Sequence, residues 1–410
     1  DLLVWYHLAW MGETERQADP RLAALQDKAA GYSLEDRREL LRVIQEQLQG
    51  VLPRYRALAE AGKVELSMSP YAHPIVPLLL DLGSAREAMP DVPLPADTSY
   101  PGGEERVDWH LQRGLESFVR VFGQRPRGIW PSEGGVSQQA LERFARFEFD
   151  WAASGAGVLA NSHDMSDEDC THRVYRFGEA STNCFFRDDG LSDLVGFEYS
   201  KMNSVDAAND LVQNLVNIAD FLGSSAYRHV VSVILDGENA WEYYPHNGHY
   251  FLDHLYLSLS NHKLINATTF SKLNDEIKTH SLENLCSGSW VYGSFSTWIG
   301  EADKNRAWDR LVEAKKVFDD TVASGKLDEK ELEIATRQLA ICEGSDWFWW
   351  FGDKNPSGSV NDFDQLYRSQ LKNLYKLLKL EAPANLDESL SKGGGKAENA
   401  GTMVRNIGQA

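Results

Sequence analysis

A strand that ends in acids and aromatic residues constrains the fold of this chain more than any other feature. Residues 230–235 form an apolar, mostly β-branched run, and residues 236–244 follow with three acids, Trp241 and two tyrosines. Apolar runs of this kind are typical of parallel strands buried on both faces, and ligands bind at the carboxyl ends of such strands. The pattern predicts a functional site beginning at Asp236, although a strand followed by a solvated acidic loop fits the same residues.

Further strands and helices alternate along the first 255 residues. The sequence predicts strands at 62–68, 128–130, 149–154, 183–186 and 229–235, and helices at 34–61, 107–122, 137–147 and 204–222. Ser33 is a suitable N-cap for the first helix, and Pro53 is expected to divide that helix in two. Alternation of strands with helices indicates an α/β fold with a parallel sheet, either a barrel or an open sheet.

Composition divides the chain into three parts. We expect a β/α barrel catalytic domain in residues 1–255 and a helical domain that completes the cleft in residues 256–381. Amphipathic helices are predicted in the second part at 304–323, 329–343 and 362–379. Residues 382–410 are poor in apolar side chains and contain three consecutive glycines, which is typical of a flexible tail.

Charge and composition exclude several classes of partner. The 410 residues carry a formal net charge of −20 and contain no apolar run long enough for a membrane span. Neither a nucleic acid nor a membrane is therefore an expected partner, because both attract basic surfaces. A neutral sugar is compatible with this charge, and 12 tryptophans offer surfaces for stacking. The oligomeric state is left open.

The cysteines and histidines predict neither a disulfide framework nor a metal site. The four cysteines are scattered, and no cluster of His and Asp suggests a ligand set, so we expect reduced thiols, no metal and no cofactor. Reduced thiols and the lack of a visible signal peptide favour the cytoplasm. The chain starts at Asp1 rather than Met, however, which leaves the compartment open.

A second acid, Glu133, occupies a position like that of Asp236. It follows a short predicted strand that ends in Trp130, and the glycines after it allow a sharp turn. Glycoside cleavage needs two carboxyl groups that flank the scissile bond, and Glu133 and Asp236 make such a pair. A separation of about 5–5.5 Å would allow a retaining mechanism, and about 6.5–9.5 Å an inverting one. Sequence spacing does not decide between them, and a solvated loop glutamate is the alternative for Glu133.

Several segments together resemble a known family. They are residues 62–67 with 70–74, residues 130–134, residues 235–242 and residues 343–351, with further blocks at 186–193 and at 288–290 with 298–300. These segments resemble, in the same order, signature regions of glycoside hydrolase family fifty-seven in its amylopullulanase-like branch. The resemblance extends over residues 1–380. It implies an incomplete (β/α)7 barrel followed by a helical region, and a retaining mechanism on α-glucans.

The resemblance also implies roles for individual residues. Glu133 corresponds to the nucleophile and Asp236 to the acid/base. Substrate binding is expected from eight residues, which are His73, Trp130, Arg187, Glu238, Trp241, Asp346, Trp347 and Trp349. Arg187 either forms a structural salt bridge or keeps the nucleophile ionised. His73 is either a structural histidine or a sugar ligand, and each tryptophan of the run at 347–350 either packs in the core or faces the cleft.

One signature region of the family has no counterpart in this sequence. This first region is a His-Gln-Pro tripeptide on the first barrel strand, and the second barrel strand also has no counterpart. We therefore expect a barrel that lacks its first strands. The predicted activity is that of a glycosidase of the α-amylase or amylopullulanase type, acting on α-1,4 bonds with α-1,6 bonds left open. The alternatives are a 4-α-glucanotransferase and a non-catalytic glycan-binding remnant.

Overall fold

A five-stranded sheet combines four strands from the first part of the chain with one from the second. The computed structural model describes residues 1–162, 170–223 and 229–395, apart from the side chains of Cys170, Glu238 and Asn239. The strands are β1 (Gly128–Ile129), β2 (Trp151–Gly155), β3 (Tyr175–Phe177), β4 (Asn183–Arg187) and β5 (His280–Leu282). Their order is β1-β2-β4-β3-β5, and β1, β2 and β4 are mutually parallel. The predicted α/β class is confirmed.

Two further segments extend the parallel set by single bridges. Met68 pairs with Ile129 of β1, and Ser232 pairs with Arg187 of β4, both in parallel. The strands predicted at 62–68 and 229–235 were therefore wrong in extent. Within the described residues each segment is bridged to a neighbour on one side only. A longer strand would need further backbone hydrogen bonds to its neighbours. The pairings of the described residues form an open sheet.

Two of the five strands were not predicted from the sequence. β3 is antiparallel to β4 and pairs in parallel with β5, which lies in the predicted helical domain. Each has only three residues. Strands of this length carry too few residues for an alternation of apolar and polar side chains to stand out.

Four helices precede the sheet, namely α1 (Leu2–Trp10), α2 (Glu13–Ala18), α3 (Pro20–Lys28) and α4 (Leu34–Glu60). They bury a small core of their own that includes Leu8, Leu22 and Val43. The predicted N-cap Ser33 begins α4 with a capping box. The predicted division at Pro53 was wrong, since α4 continues through it. Pro53 and Gln49 are exposed, so water can hydrate the carbonyl that loses its hydrogen bond.

Helices flank the sheet and then form the last part of the chain. Between α4 and the last part of the chain lie α5 (Val76–Leu80), α6 (Ala85–Ala88), α7 (Gly103–Phe122), α8 (Gln138–Arg146), α9 (Ala156–Ser162), α10 (Asp189–Asp193), α11 (Ser204–Leu222), α12 (Gly237–Ala240), α13 (His249–Ser260) and α14 (Phe270–Glu276). The predicted helices of the last part are confirmed as α15 (Ala302–Ala323), α16 (Glu329–Cys342) and α18 (Ser357–Leu377), with the short α17 (Asp346–Trp350) between them. Every helix in the described ranges is too short or too polar to cross a lipid bilayer.

The sheet and the last helices share one hydrophobic core. This core contains Ile129 and Ala152 of the sheet together with Leu311, Leu339 and Leu371 of the last helices, all fully buried. The two predicted domains therefore pack as one continuous interior. Because this core is closely packed, a shift of the last helices would also displace the sheet.

The first part of the predicted flexible tail is packed. Leu386 and Leu390 are buried in the shared core, and the Leu390 backbone N–H donates to Asp364 at 2.7 Å. The prediction of flexibility was therefore wrong for these residues, because two leucines in an otherwise polar stretch suffice to anchor it. Residues 396–410 of the predicted tail lie outside the described residues.

A buried ionic cluster joins α7 to the end of α16. Glu343 accepts from Arg106 Nη2 at 2.7 Å, from His110 Nε2 at 2.7 Å and from the Tyr100 hydroxyl at 2.6 Å. Burial alone would raise the pKa of Glu343, but the charge of Arg106 and the hydrogen bond from His110 outweigh it and lower the pKa to about 2. The cluster thus fixes the last helices against the sheet layer by charge as well as by packing.

We expect Glu343→Gln to lower the free energy of unfolding by about 3–5 kcal/mol at neutral pH, because it leaves Arg106 buried without its counter-charge. The lowered pKa means that Glu343 contributes fully above its ordinary value of 4.5 and loses this contribution as the pH falls toward about 2. The difference between the wild type and the variant should therefore shrink over that range. Urea unfolding at several pH values measures it.

Glu333→Gln is the matched control, since Glu333 lies on the same helix α16 but is largely exposed beside Arg113. We expect it to change the free energy of unfolding by less than about 1 kcal/mol. Equal losses in the two variants, or a difference that does not depend on pH, would contradict the role given to Glu343.

Candidate active site

The two candidate catalytic acids follow the carboxyl ends of two parallel segments. Glu133 lies in the turn after β1, and Asp236 follows the segment that Ser232 bridges to β4. Because β1, β4 and this segment run in parallel, both acids lie at the same edge of the sheet. This is the edge at which open α/β sheets bind their ligands.

The turn that carries Glu133 has an unfavourable backbone. Ser132–Gly134 form a single 3-10 turn, in which Glu133 has φ 54° and ψ 31°. Gly134 follows with φ 57°. A non-glycine residue in the left-handed region costs free energy, and it persists when its surroundings fix it. Gly134 permits the sharp turn, as expected from the sequence. The strained backbone conformation, however, is that of Glu133, the candidate nucleophile.

A loop from the second half of the chain holds this turn. We call residues 288–293 the clamp loop. Gly288 pairs in antiparallel fashion with Val136, and their backbone hydrogen bonds measure 2.8 and 3.0 Å. The Ser289 hydroxyl donates to the Glu133 carbonyl at 2.8 Å, and the Trp290 backbone N–H reaches the same carbonyl at 3.3 Å. The clamp loop therefore fixes the main chain at the candidate nucleophile.

The Trp290 side chain joins three of the predicted site residues. Its indole N–H donates to Glu133 Oε2 at 3.0 Å. Its ring meets Trp130 edge to face with centroids 5.1 Å apart, and the Arg187 guanidinium carbon lies 5.5 Å from its centroid. The structure thus brings Glu133, Trp130 and Arg187 together around Trp290.

Arg187 connects this cluster to the segment that leads to Asp236. Its guanidinium pairs with Asp189 at 2.8 Å and with Asp193 at 2.7 Å, and its Nε donates to the Ile234 carbonyl at 2.9 Å. The structural salt bridge weighed for Arg187 is present. Burial raises the pKa of Asp189, although the hydrogen bond from Arg187 opposes this shift. An effect of Arg187 on the ionisation of Glu133 stays a prediction.

Asp236 directly precedes the short helix α12 and does not cap it through its side chain. Trp241, just after α12, packs against Tyr244 and Phe251 with ring centroids 5.3 and 6.4 Å apart. This contact places part of its ring in a satellite hydrophobic cluster, and a role in stacking on sugar stays a prediction. The side chain of Glu238, the other binding residue predicted here, lies outside the described part.

His73 joins the loop at 70–74 to the start of α17. Its Nδ1 lies 2.8 Å from the Ser345 hydroxyl, and its carbonyl accepts from the Ser345 backbone N–H at 2.9 Å. His73 also has a left-handed backbone, with φ 57°. These contacts fit the structural interpretation of His73, and sugar binding by it stays a prediction.

The predicted binding residues on α17 have different surroundings. Asp346 is exposed at the start of the helix. The indole N–H of Trp347 donates to the Ile341 carbonyl at 2.7 Å, and the ring of Trp349 lies 5.9 Å from that of Trp298. Both half-buried tryptophans pack on the helical part of the core, which supports the core-packing alternative without testing a role in the cleft.

Three residues of this site were not singled out from the sequence, namely Trp290, Asp189 and Asp193. Their segments were recognised in the family resemblance, but only the folded chain shows which side chains they contact. Trp290 and Glu133 are 157 positions apart. In the part of the chain that the structure describes, no three or more His, Cys, Asp or Glu side chains are placed to hold a metal ion.

Solved structures with a similar fold are enzymes of more than one activity. The chain is similar to a family 57 branching enzyme from Thermococcus kodakaraensis, with a TM-score of 0.64 at 15% identity over 87% of this chain and 75% of that one. It is similar to an α-amylase from Thermotoga maritima, with a TM-score of 0.61 at 14% identity over 92% of this chain and 77% of that one. At these identities the likeness shows the fold.

A third similar structure is a 4-α-glucanotransferase from Thermococcus litoralis, with a TM-score of 0.56 at 16% identity over 84% of this chain and 51% of that one. A comparison with curated protein sequences found no significant match. The model of glycosyl hydrolase family 57 matches residues 5–285, which include β1 to β5, Glu133 and Asp236. Because this match covers well over half of the sequence, the chain belongs to glycosyl hydrolase family 57.

Proposed function

We propose that this protein is a retaining glycoside hydrolase that acts on α-glucans, with Glu133 as nucleophile and Asp236 as acid/base. Membership of the family makes it a glycosidase-type enzyme. The observation that carries the assignment is the environment of Glu133, a strained turn at the carboxyl edge of the sheet whose carboxylate accepts an indole N–H. Strain of this kind concentrates at functional sites.

The reaction proceeds in two displacements. In the first, a carboxylate oxygen of Glu133 attacks the anomeric carbon while Asp236 gives its proton to the departing glycosidic oxygen, and a covalent glycosyl-enzyme results. In the second, Asp236 takes a proton from water, which attacks the same carbon and releases Glu133. The anomeric configuration is inverted twice and is therefore retained.

The hydrogen bond to Glu133 supports its role as nucleophile. Glu133 must be ionised, and the hydrogen bond from the Trp290 N–H favours the ionised form. Asp236 must hold a proton before the first step.

Glu133→Gln should lower kcat on soluble starch and on maltooligosaccharides by at least about 1,000-fold, because the amide keeps the shape of the side chain but cannot attack the anomeric carbon. Release of reducing ends measures the rate. Glu142→Gln, an exposed change on the neighbouring helix α8, should retain wild-type activity.

Undiminished hydrolysis by Glu133→Gln would overturn the assignment of the nucleophile. Binding of maltooligosaccharides by the wild type without any cleavage would instead support the non-catalytic alternative.

Asp236→Ala tests the acid/base role separately. We expect it to lose starch hydrolysis by about 100- to 10,000-fold, since the leaving oxygen no longer receives a proton. With α-maltosyl fluoride, whose leaving group needs no proton, azide should restore turnover by replacing water in the second step. NMR should then show an α-configured maltosyl azide, and a β-configured product would contradict a double displacement.

Transfer to a second sugar in place of water is the alternative outcome at the same site. The fold shared with the branching enzyme and the glucanotransferase supports transfer as this alternative. Incubation with maltotriose separates the two, because transfer yields longer oligomers while hydrolysis yields only shorter ones. Parallel assays on pullulan show whether α-1,6 bonds are cut as well as α-1,4 bonds.

A further inference from the structure

We propose that Trp290 is a positioning residue that fixes the carboxylate of Glu133 for attack. This inference rests on the proposed function, in which Glu133 is the nucleophile. Its basis is the 3.0 Å hydrogen bond from the indole N–H to Glu133 Oε2, together with the contacts that hold the indole itself.

The hydrogen bond from Trp290 restricts rotation of the Glu133 carboxylate. Without it, this rotation would have to be restricted during attack on the anomeric carbon. The last torsion of a glutamate side chain is broad, so a free carboxylate samples many orientations. Binding Oε2 to a fixed donor holds the plane of the carboxylate. Restricting a reacting group before the reaction lowers the barrier by pre-organisation.

The indole is itself held on several sides. The ring of Trp130 meets it edge to face, and the guanidinium of Arg187 lies over it. Two ion pairs, to Asp189 and Asp193, keep Arg187 in place. A donor with a fixed position is what a catalytic carboxylate requires of its supporting residues.

Trp290 also packs closely against two glycines, Gly155 and Gly134. A Cβ on Gly155, at the end of β2, would lie 2.6 Å from the Trp290 Cα, and one on Gly134 would lie 3.1 Å from its Cβ. The clamp loop therefore packs directly on the sheet and on the turn of Glu133. One loop thus fixes both the strained main chain and the side chain of the candidate nucleophile.

Trp290→Phe tests this role, since phenylalanine retains an aromatic ring but lacks the N–H. We expect kcat to fall about 10- to 100-fold, the range for a lost hydrogen bond to a charged group, with KM changed by less than about threefold. The acid limb of kcat/KM should move to higher pH, because the lost N–H stabilised the ionised carboxylate. A loss of structure alone would not move this limb.

Trp5→Phe is the matched control. It also removes an indole hydrogen bond, from Trp5 to the Ala29 carbonyl at 2.8 Å, but in the N-terminal helices away from the sheet. We expect kcat and the acid limb of this control to match the wild type. If Trp290→Phe fails to fold, 3-benzothienylalanine at position 290 replaces the N–H by sulfur in a ring of the same shape, and the same kinetic changes are expected.

The outcomes separate this inference from the proposed function. If Glu133→Gln abolishes turnover while both changes at position 290 leave kcat and the acid limb as in the wild type, the inference is overturned and the nucleophile stands. If Glu133→Gln retains turnover, the proposed function fails first. If the proposed function and the inference are both correct, adding Trp290→Phe to Glu133→Gln should lower kcat little further, because the two residues act as a unit.

Discussion

The contact between the clamp loop and the turn of Glu133 is the constraint on which the candidate site depends. A glutamate with a left-handed backbone does not keep that conformation by itself, since its side chain crowds the neighbouring carbonyl. Ser289 and Trp290 bind the carbonyl of Glu133, and the indole of Trp290 binds its carboxylate. The free energy of these contacts opposes the strain and leaves the carboxylate in one orientation.

This arrangement makes the site depend on parts of the chain that are far apart in sequence. The turn belongs to the strand region, whereas the clamp loop follows β5 and leads into α15. Both parts bury side chains in one core, and the cluster around Glu343 fixes α7 to the end of α16 inside it. Loosening that core would therefore displace the clamp loop relative to Glu133, which would harm activity without touching either catalytic acid.

The sequence predicted that Glu133 follows a short strand but not the contacts that hold it. A Trp-Pro-Ser-Glu-Gly segment after a short apolar run was enough to locate Glu133 at a strand end, and the family resemblance suggested its role. The contact with Trp290 spans 157 positions, and no local pattern reports such a pairing. The same reason explains the segment at 229–235, whose apolar composition indicated a strong strand although only Ser232 forms a bridge. Of that segment only Val230 and Ser232 are buried and Val233 is exposed, so apolar composition predicted neither full burial nor a paired neighbour.

Trapping of the glycosyl-enzyme tests the central claim most directly. A fluorinated maltosyl fluoride that reacts with the nucleophile and is then hydrolysed slowly should leave a sugar attached to the protein. Peptide mass spectrometry after digestion should place that sugar on Glu133. A label on another carboxylate, such as Asp189 or Asp236, or steady turnover of maltooligosaccharides with no label at all, would contradict the account.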